Sequence, residues 1–376
     1  MAEGFRPAFV EVDLDAIAQN ASALAGLVAP AELCAVVKAD GYGHGAPAVA
    51  RAALSAGAGS LAVALVEEGV ALREAGITAP ILLLSEPTPD GIAEAVARRL
   101  TLTLYRPAAV AAAQRAARRV GVRAAVEVKV DTGMHRVGAS EDDALAVAGA
   151  IAASADLRLT GLWTHFAVAD EPDDPFTATQ LARLAHTRAR LGAAGIAVGR
   201  VHAANSAGAL AHPASRLDLV RCGLALYGYS PVAGAGPALA PALSLKARVH
   251  LVRTLPAGEA TSYGRAYRLP RAGAVAVIPL GYHDGVPRAL FDGGGEVLIG
   301  GRRRPVAGTV TMDQLLVDCG PSGDVAAGDE AVLIGRQKDD AIDAAQWARW
   351  LATVPYEVLC GIGPRVPRVY RGGPPS

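Results

Sequence analysis

The sequence predicts an α/β chain in which a TIM (β/α)8 barrel is followed by a mostly β C-terminal domain. Two observations lead there. Up to residue 220, short apolar runs alternate with helix-length patterns, giving about eight βα units and parallel strands joined by right-handed crossovers. Beyond residue 237 helical periodicity becomes scarce, and turn clusters separate short β-rich runs. The expected domains are a barrel over 8–236 and a β-rich domain over 237–376, with residues 1–7 a candidate to pack on the latter. A doubly wound open sheet is the alternative, but no Gly-x-Gly-x-x-Gly fingerprint opens its first unit.

In chain order, strands are expected at 9–12, 33–37, 61–64, 81–84, 102–104, 124–130, 159–163 and 201–203, with the series closing at 220. Each is a short, nearly continuous apolar run, as strands buried on both faces require. Helices are expected between them at 14–27, 46–56, 67–75, 91–99, 108–119, 141–153, 177–194 and near 207. In the second part, 243–254, 274–279, 296–298, 315–318 and 330–334 read as strands and 341–351 as one late helix. The run Asp292-Gly-Gly-Gly295 reads as a hairpin turn, and Gly300-Gly-Arg-Arg-Arg-Pro305 as a turn cluster.

The chain has 376 residues, 52% of them hydrophobic and 19% charged, which is enough apolar material for a sizeable core. Lys+Arg and Asp+Glu both total 36, so net charge gives no reason to expect nucleic acid or an anionic membrane as partner. The four cysteines, Cys34, Cys222, Cys319 and Cys360, lie far apart without metal-ligand spacing, so a reducing compartment is the simpler reading. The histidines lack such spacing too, and no catalytic metal is expected. No apolar run approaches the roughly 18 residues of a membrane helix, and the first residues lack a signal-like core. A cytoplasmic protein is the expectation.

The most informative stretch is Ala35-Val-Val-Lys38-Ala-Asp-Gly41-Tyr42-Gly43-His44-Gly45. An apolar strand delivers one lysine to the mouth of a sheet, where glycines break the chain. Desolvation at such a place makes a lysine amine nucleophilic, and the chemistry this suits is a Schiff base to pyridoxal phosphate. The same pattern alone also fits a surface lysine snorkelling at a strand end. The rest of the chain decides between them. Lys38, Lys129, Arg136, His165, Asn205, Ser206 and Arg221 all fall at the C-terminal ends of the expected strands, where barrel chemistry sits.

Beyond the Lys38 segment, further motifs run in order: Asp131-Thr-Gly-Met-His-Arg136-Val-Gly138, Thr164-His165-Phe-Ala, Ala204-Asn-Ser206 and Leu219-Val-Arg221-Cys-Gly223. The second part adds Ser262-Tyr263-Gly264, Gly281-Tyr282, Thr311-Met312-Asp313-Gln314 and Pro355-Tyr356-Glu357-Val358. Together they resemble the bacterial alanine racemases over essentially the whole chain. The resemblance implies a pyridoxal 5'-phosphate enzyme and a homodimer whose active site is shared across subunits. It implies interconversion of L- and D-alanine by two bases through an external aldimine, supplying D-alanine for peptidoglycan.

The resemblance also implies roles for individual residues. Lys38 would carry the cofactor and serve as one base, and Tyr263, reaching the partner's site, would be the other. Two bases make sense because one group rarely reaches both faces of a planar carbanion. Arg221 would face the pyridine nitrogen. An arginine stays protonated and cannot give its proton to the ring, which weakens the electron sink and limits side reactions. Tyr42, Ser206, Gly223, Leu224 and Tyr356 would hold the phosphate, with His165 and Asn205 completing the polar surroundings. Ser206 also reads as a helix N-cap. Arg136 and the Met312 backbone N–H would take the substrate carboxylate, and Lys129, carbamylated as in several relatives, would hold Arg136. Asp313, Tyr282 and Tyr267 would line the entrance.

The chain departs from the family pattern at three places. His135 stands where glycine is usual, His283 replaces an alanine after Tyr282, and Thr311 stands where cysteine or serine is frequent. These put substrate preference in doubt, with serine as the other small amino acid to consider. Two other classes share parts of the architecture. A barrel-plus-β decarboxylase would place an acid where Arg221 stands, and a non-catalytic cofactor carrier would lack the β domain.

Overall fold

The computed structural model describes residues 6–373. They form two compact units, one of residues 16–41 and 46–240, the other of residues 6–15, 42–45 and 241–373. The expectation about residues 1–7 falls largely on residues 1–5, which lie outside the described residues.

The first strand, β1 (Ala8–Asp13), corrects the sequence reading. It was expected to open the barrel series, but it pairs antiparallel with Leu243–Arg248 and parallel with Arg368–Arg371, inside the sheet of the second unit. The reason is legible in its pattern. Ala8, Val10 and Val12 are buried while the residues between them are partly open, the alternation of a strand with one solvated face.

The barrel proper is β2 (Glu32–Val36), β3 (Ala58–Val63), β4 (Ile81–Leu83), β5 (Leu102–Leu104), β6 (Ala124–Lys129), β7 (Leu157–Trp163), β8 (Arg200–His202) and β9 (Leu219–Cys222). Neighbours are parallel and follow chain order, and β9 pairs back onto β2. A parallel bridge between Leu82 and Thr101 joins β4 to β5 and completes the ring. β4, β5 and β9 are buried at every position, as a sheet covered on both faces requires. The helices cover the outside with narrow apolar stripes. In Leu14–Val28, Ile17, Ala21, Leu24 and Val28 recur at helical spacing and are at most 1% exposed.

The second unit is mostly β. Its largest sheet runs Arg302–Pro305, Glu296–Ile299, Glu330–Gln337, Leu243–Arg248, β1, Arg368–Arg371, with Asp340–Ile342 paired onto Glu330–Gln337. A second sheet holds Leu251–Leu255, Gly273–Ile278 and Leu315–Gly320. The run expected as one strand over 243–254 is therefore two strands in two sheets. The break falls at Val249 and His250, whose N–H groups donate to Asp329 and Val277 respectively.

Three local readings are also corrected. Asp292–Gly295 is no hairpin turn: Ala289–Asp292 is a short helix, and Gly293 and Gly295 donate back to Ala289 and Leu290 to end it. Within Gly300–Pro305 only the glycines turn, at φ 66° and 79°, and the arginines that follow form a strand. The late helix begins at Ala344 because the Asp343 carboxylate accepts from the Gln346 N–H at 2.7 Å, and the residues before it are a strand. A further helix, Pro355–Cys360, was not anticipated. Among the described residues no helix is long and apolar enough to cross a membrane.

Candidate active site

β2 ends two residues before Lys38, and the chain then enters a left-handed turn. Ala39, Asp40, Gly41 and Tyr42 have φ of 51°, 51°, 62° and 52°. That conformation costs about 1–2 kcal/mol per non-glycine residue, and such strain persists only where the surroundings over-determine it. They do here. Ala39 N–H donates to Glu68 Oε1 at 2.6 Å, Gly41 N–H to Val37 C=O at 2.9 Å, and Ala46 N–H to Asp40 Oδ1 at 2.8 Å. Glu68 Oε2 meanwhile accepts from the N–H groups of Ala64 and Leu65. Glu68 thus clamps the turn that presents Lys38, a role that sequence reasoning missed. Within the second unit, the glycines after Tyr42 permit close approach. A Cβ at Gly43 would sit 2.6 Å from the Leu359 carbonyl oxygen, and one at Gly45 1.8 Å from Tyr370 Oη.

The barrel mouth gathers positive charge. Lys129 closes β6 and is buried, with Nζ 4.5 Å from the centroid of the Trp163 ring. Burial, and then Arg221 and Arg136, pull its pKa down to about 7, with Asp131 opposing them. Arg221, on β9, is also buried, its Cζ 4.6 Å from the same ring. It donates to the carbonyls of Thr164 and Ala203 at 2.8 and 2.9 Å and to Nδ1 of His202. His165 Nδ1 lies 3.5 Å from Arg221 Nη2. Burial, then Arg221, Lys129, Arg136 and Lys38, hold His165 well below the usual histidine range. Four basic side chains therefore act on one neutral imidazole. A mouth of this kind suits an anion.

The 131–136 loop hangs on Asp131. Its Oδ1 accepts from the N–H groups of Gly133 at 2.9 Å and His135 at 3.1 Å. Burial alone would raise the Asp131 pKa, but these hydrogen bonds outweigh it and the net shift is downward. His135 has φ 55°, which explains why glycine is usual at this position, and its ring lies 3.2 Å from Asp131 Oδ2. Arg136 beside it is exposed. Behind the loop, Thr132, Thr164 and Gln180 form a buried hydrogen-bonded set, and Gln180 also holds the His165 carbonyl at 3.1 Å.

At the mouth beyond β8, Asn205 rather than Ser206 is the helix N-cap, its side-chain oxygen accepting from Gly208 N–H at 2.9 Å. Ser206 is buried, and its hydroxyl oxygen accepts from the N–H groups of Gly223 at 2.9 Å and Ala225 at 3.3 Å. Its proton is thereby directed elsewhere. Ser206, Gly223 and Leu224 are brought together as expected neighbours, with Gly223 N–H facing the serine.

In the second unit, Tyr42 and Tyr356 come together, ring centroids 5.8 Å apart. Tyr282 and Met312 are clasped, Tyr282 N–H donating to Thr311 C=O and His283 N–H to Met312 C=O. A Cβ on Gly281 would meet the Met312 carbonyl at 2.4 Å. The Thr311 hydroxyl donates to Gln314 C=O at 2.8 Å and closes the turn that carries Met312 and Asp313. Asp313 pairs with Arg365 at 2.8 Å. Tyr267 is tied away, its hydroxyl donating to Asp318 at 2.6 Å, and burial followed by that carboxylate raises its pKa. Tyr263 is held differently. It is 71% exposed, on a turn whose flanks Ser262 and Gly264 have φ of 60° and 73°.

Besides Glu68, sequence reasoning missed Trp163, His202 and Glu127. Trp163 was read only as the end of a strand, and His202 only as a histidine without metal-ligand spacing. The available signal was a polar residue at an inward position of an otherwise apolar barrel strand.

The chain matches the family model for the N-terminal domain of alanine racemase over residues 12–231 and that for its C-terminal domain over residues 242–370. It is 47% identical to an alanine racemase of Symbiobacterium thermophilum over 373 residues, covering 98% of each chain. The crystal structure of alanine racemase from D-cycloserine-producing Streptomyces lavendulae superposes with a TM-score of 0.92 at 39% identity, covering 99% of this chain and 98% of that one. The Bacillus anthracis alanine racemase with bound L-Ala-P gives a TM-score of 0.92 at 35% identity, with 99% and 96% coverage. With its barrel, its β domain and both domain models matched along one chain, this protein belongs to the alanine racemase family.

Proposed function

We propose that this chain interconverts L- and D-alanine with pyridoxal 5'-phosphate as cofactor. The observation that carries the reading is the clustering of Lys129 and Arg221 over one Trp163 ring, with Arg221 3.5 Å from a half-buried His165 on which Lys129, Arg136 and Lys38 also act. The charge fits an anionic cofactor and a carboxylate substrate, and Lys38 is the amine presented on a strained turn. When bound, the cofactor delocalises the electron pair left at the substrate α-carbon.

In this reading Lys38 Nζ would hold the cofactor aldehyde and, once the substrate amine has taken its place there, the freed amine would exchange the α-proton on one face, while Tyr263 Oη would serve the other face. The exposure of Tyr263 supports its delivery to a second copy of the chain, so the working form is a homodimer. Arg136 pairs with the substrate carboxylate through two N–H groups, and Met312 adds a backbone N–H. Lys129, pulled down to about 7, offers the neutral amine that carbamylation needs, and the carbamate would restore negative charge beside Arg136. Arg221 faces the ring nitrogen and keeps its own proton. Ser206, Tyr42, Tyr356 and the N–H groups of Gly223 and Leu224 take the phosphate, with Asn205 ordering the Ser206 turn and His165 the polar wall. Tyr282 and Asp313 line the entrance. The enzyme works in the cytoplasm, and its product supplies D-alanine for peptidoglycan.

The test is α-proton exchange in heavy water with L-alanine and D-alanine separately, followed by chiral analysis and repeated with serine. Deuterium incorporation with loss of optical purity is the expected result. Carbon dioxide release from a larger amino acid, without exchange into alanine, would overturn the reading in favour of decarboxylation.

A further inference from the structure

One buried carboxylate inside the barrel has no part in the scheme above. Glu127 lies on β6, and its side chain is 6% exposed. Its Oε2 is 2.8 Å from Nε2 of His202, whose ring is fully buried. The other ring nitrogen of His202 meets Arg221 Nη1. Only one tautomer satisfies both contacts. The Glu127 carboxylate can only accept, so Nε2 carries the proton, and the Arg221 guanidinium can only donate, so Nδ1 is the acceptor. Burial, only partly opposed by Glu127, lowers the His202 pKa, which agrees with a neutral ring.

The surroundings are built for this row. The His202 ring stacks on Trp163 at 5.6 Å and 9° between planes, and the Trp163 indole N–H donates to Thr103 Oγ1 at 3.2 Å, fixing the plane. Opposite Glu127, on β7, stands Gly161. A Cβ there would lie 2.7 Å from Glu127 Cδ and 2.9 Å from its Oε1. The strand thus gives up a side chain to make room for a carboxylate that is costly to bury. A residue needed only to fill the barrel would be apolar.

We propose that Glu127 is a positioning residue that, through His202, fixes the orientation of the Arg221 guanidinium and balances its charge. This rests on the reading that places Arg221 against the pyridine nitrogen. In this scheme Glu127 acts through His202 and not by contact with cofactor or substrate. The row runs carboxylate, imidazole, guanidinium, and each member sets the hydrogen-bonding sense of the next.

The test uses holoenzyme carrying Glu127→Gln, which keeps shape and removes charge, and Glu127→Asp, which keeps charge and shortens the reach. Expected for Glu127→Gln is a fall in kcat of about 10- to 100-fold with KM little changed, the range seen when the carboxylate behind a ligand histidine is removed from metal sites. The absorbance maximum of the bound cofactor should shift, and Glu127→Asp should recover part of both. Nitrogen-15 NMR of labelled histidine should show the His202 proton on Nε2 in the wild type and a changed tautomer population in Glu127→Gln. A lower melting temperature with unchanged kcat, absorbance and tautomer would overturn the proposal and leave Glu127 a packing residue. If Glu127→Gln does not fold, the Glu127→Asp measurements decide by the same criteria. Should the wild type fail to exchange the alanine α-proton, the fault lies with the proposed reaction, and the His202 tautomer still decides the role of Glu127.

Discussion

The barrel and the β unit hold their site residues in opposite ways. Lys129, Ser206 and Arg221 are buried, at most 3% exposed, and Arg221 and Ser206 have hydrogen bonds in fixed directions. Tyr263, Met312 and Tyr282 are 71%, 51% and 40% exposed. Burial in the barrel lets a few charges reset one another's protonation, so that Lys129 approaches neutrality and His165 stays uncharged. The β unit instead exposes two aromatics and a thioether, a surface suited to completing another molecule's site. Electrostatics is preorganised within the barrel, while Tyr263, the proposed second base, is exposed.

The comparison can be broken in stages. Lys38→Ala should have the largest effect, a loss of about 10⁴-fold or more in racemisation together with the near-visible absorbance of the bound cofactor. An unchanged spectrum would mean that another lysine carries it. Tyr263→Phe should cost about 10²- to 10⁴-fold. Because the side chain is exposed, stability should stay within about 0.5 kcal/mol of wild type. Exchange in heavy water should be lost mainly from one enantiomer, and equal loss from both would count against the two-base assignment.

Lys129 sharpens the electrostatic half. Its pKa is about 7 in the folded protein against an ordinary value of 10.5, so between these values the unfolded chain binds a proton that the folded one has shed. In bicarbonate-free solution, stability relative to Lys129→Met should therefore rise as pH climbs from about 7 to about 10. Denaturant melts at several pH values would show it, and parallel profiles for the two proteins would refute it. The smallest effect is expected at His135. His135→Gly removes the cost of φ 55° but also the contact with Asp131, and Gly adds unfolded-state entropy. Its net change should lie within about 1 kcal/mol in a thermal melt, and a larger loss would show that the His135–Asp131 pair holds the loop.

Much of this was legible in the sequence. Continuous apolar runs gave the barrel strands, because a parallel sheet covered on both faces needs them. The glycines after Lys38 gave the turn, though not its left-handed sense, which depends on Glu68 from another unit of the barrel. What was not legible was pairing over long separations. Nothing local says that 8–13 joins strands near 245 and 369, or that Glu127 and His202, 75 residues apart, face each other. Both had a signal of composition, an alternating strand and an inward acid, but composition does not name the partner.

The placement of β1 bears on how the molecule is made and cut. β1, the earliest strand among the described residues, lies between Leu243–Arg248 and Arg368–Arg371, the latest of them. Its edges therefore wait unpaired through most of translation, while the barrel has all its own strands by residue 222. A fragment cut at the barrel's end would lack an interior strand of its main sheet. Loss of either β1 or Arg368–Arg371 would open the same seam.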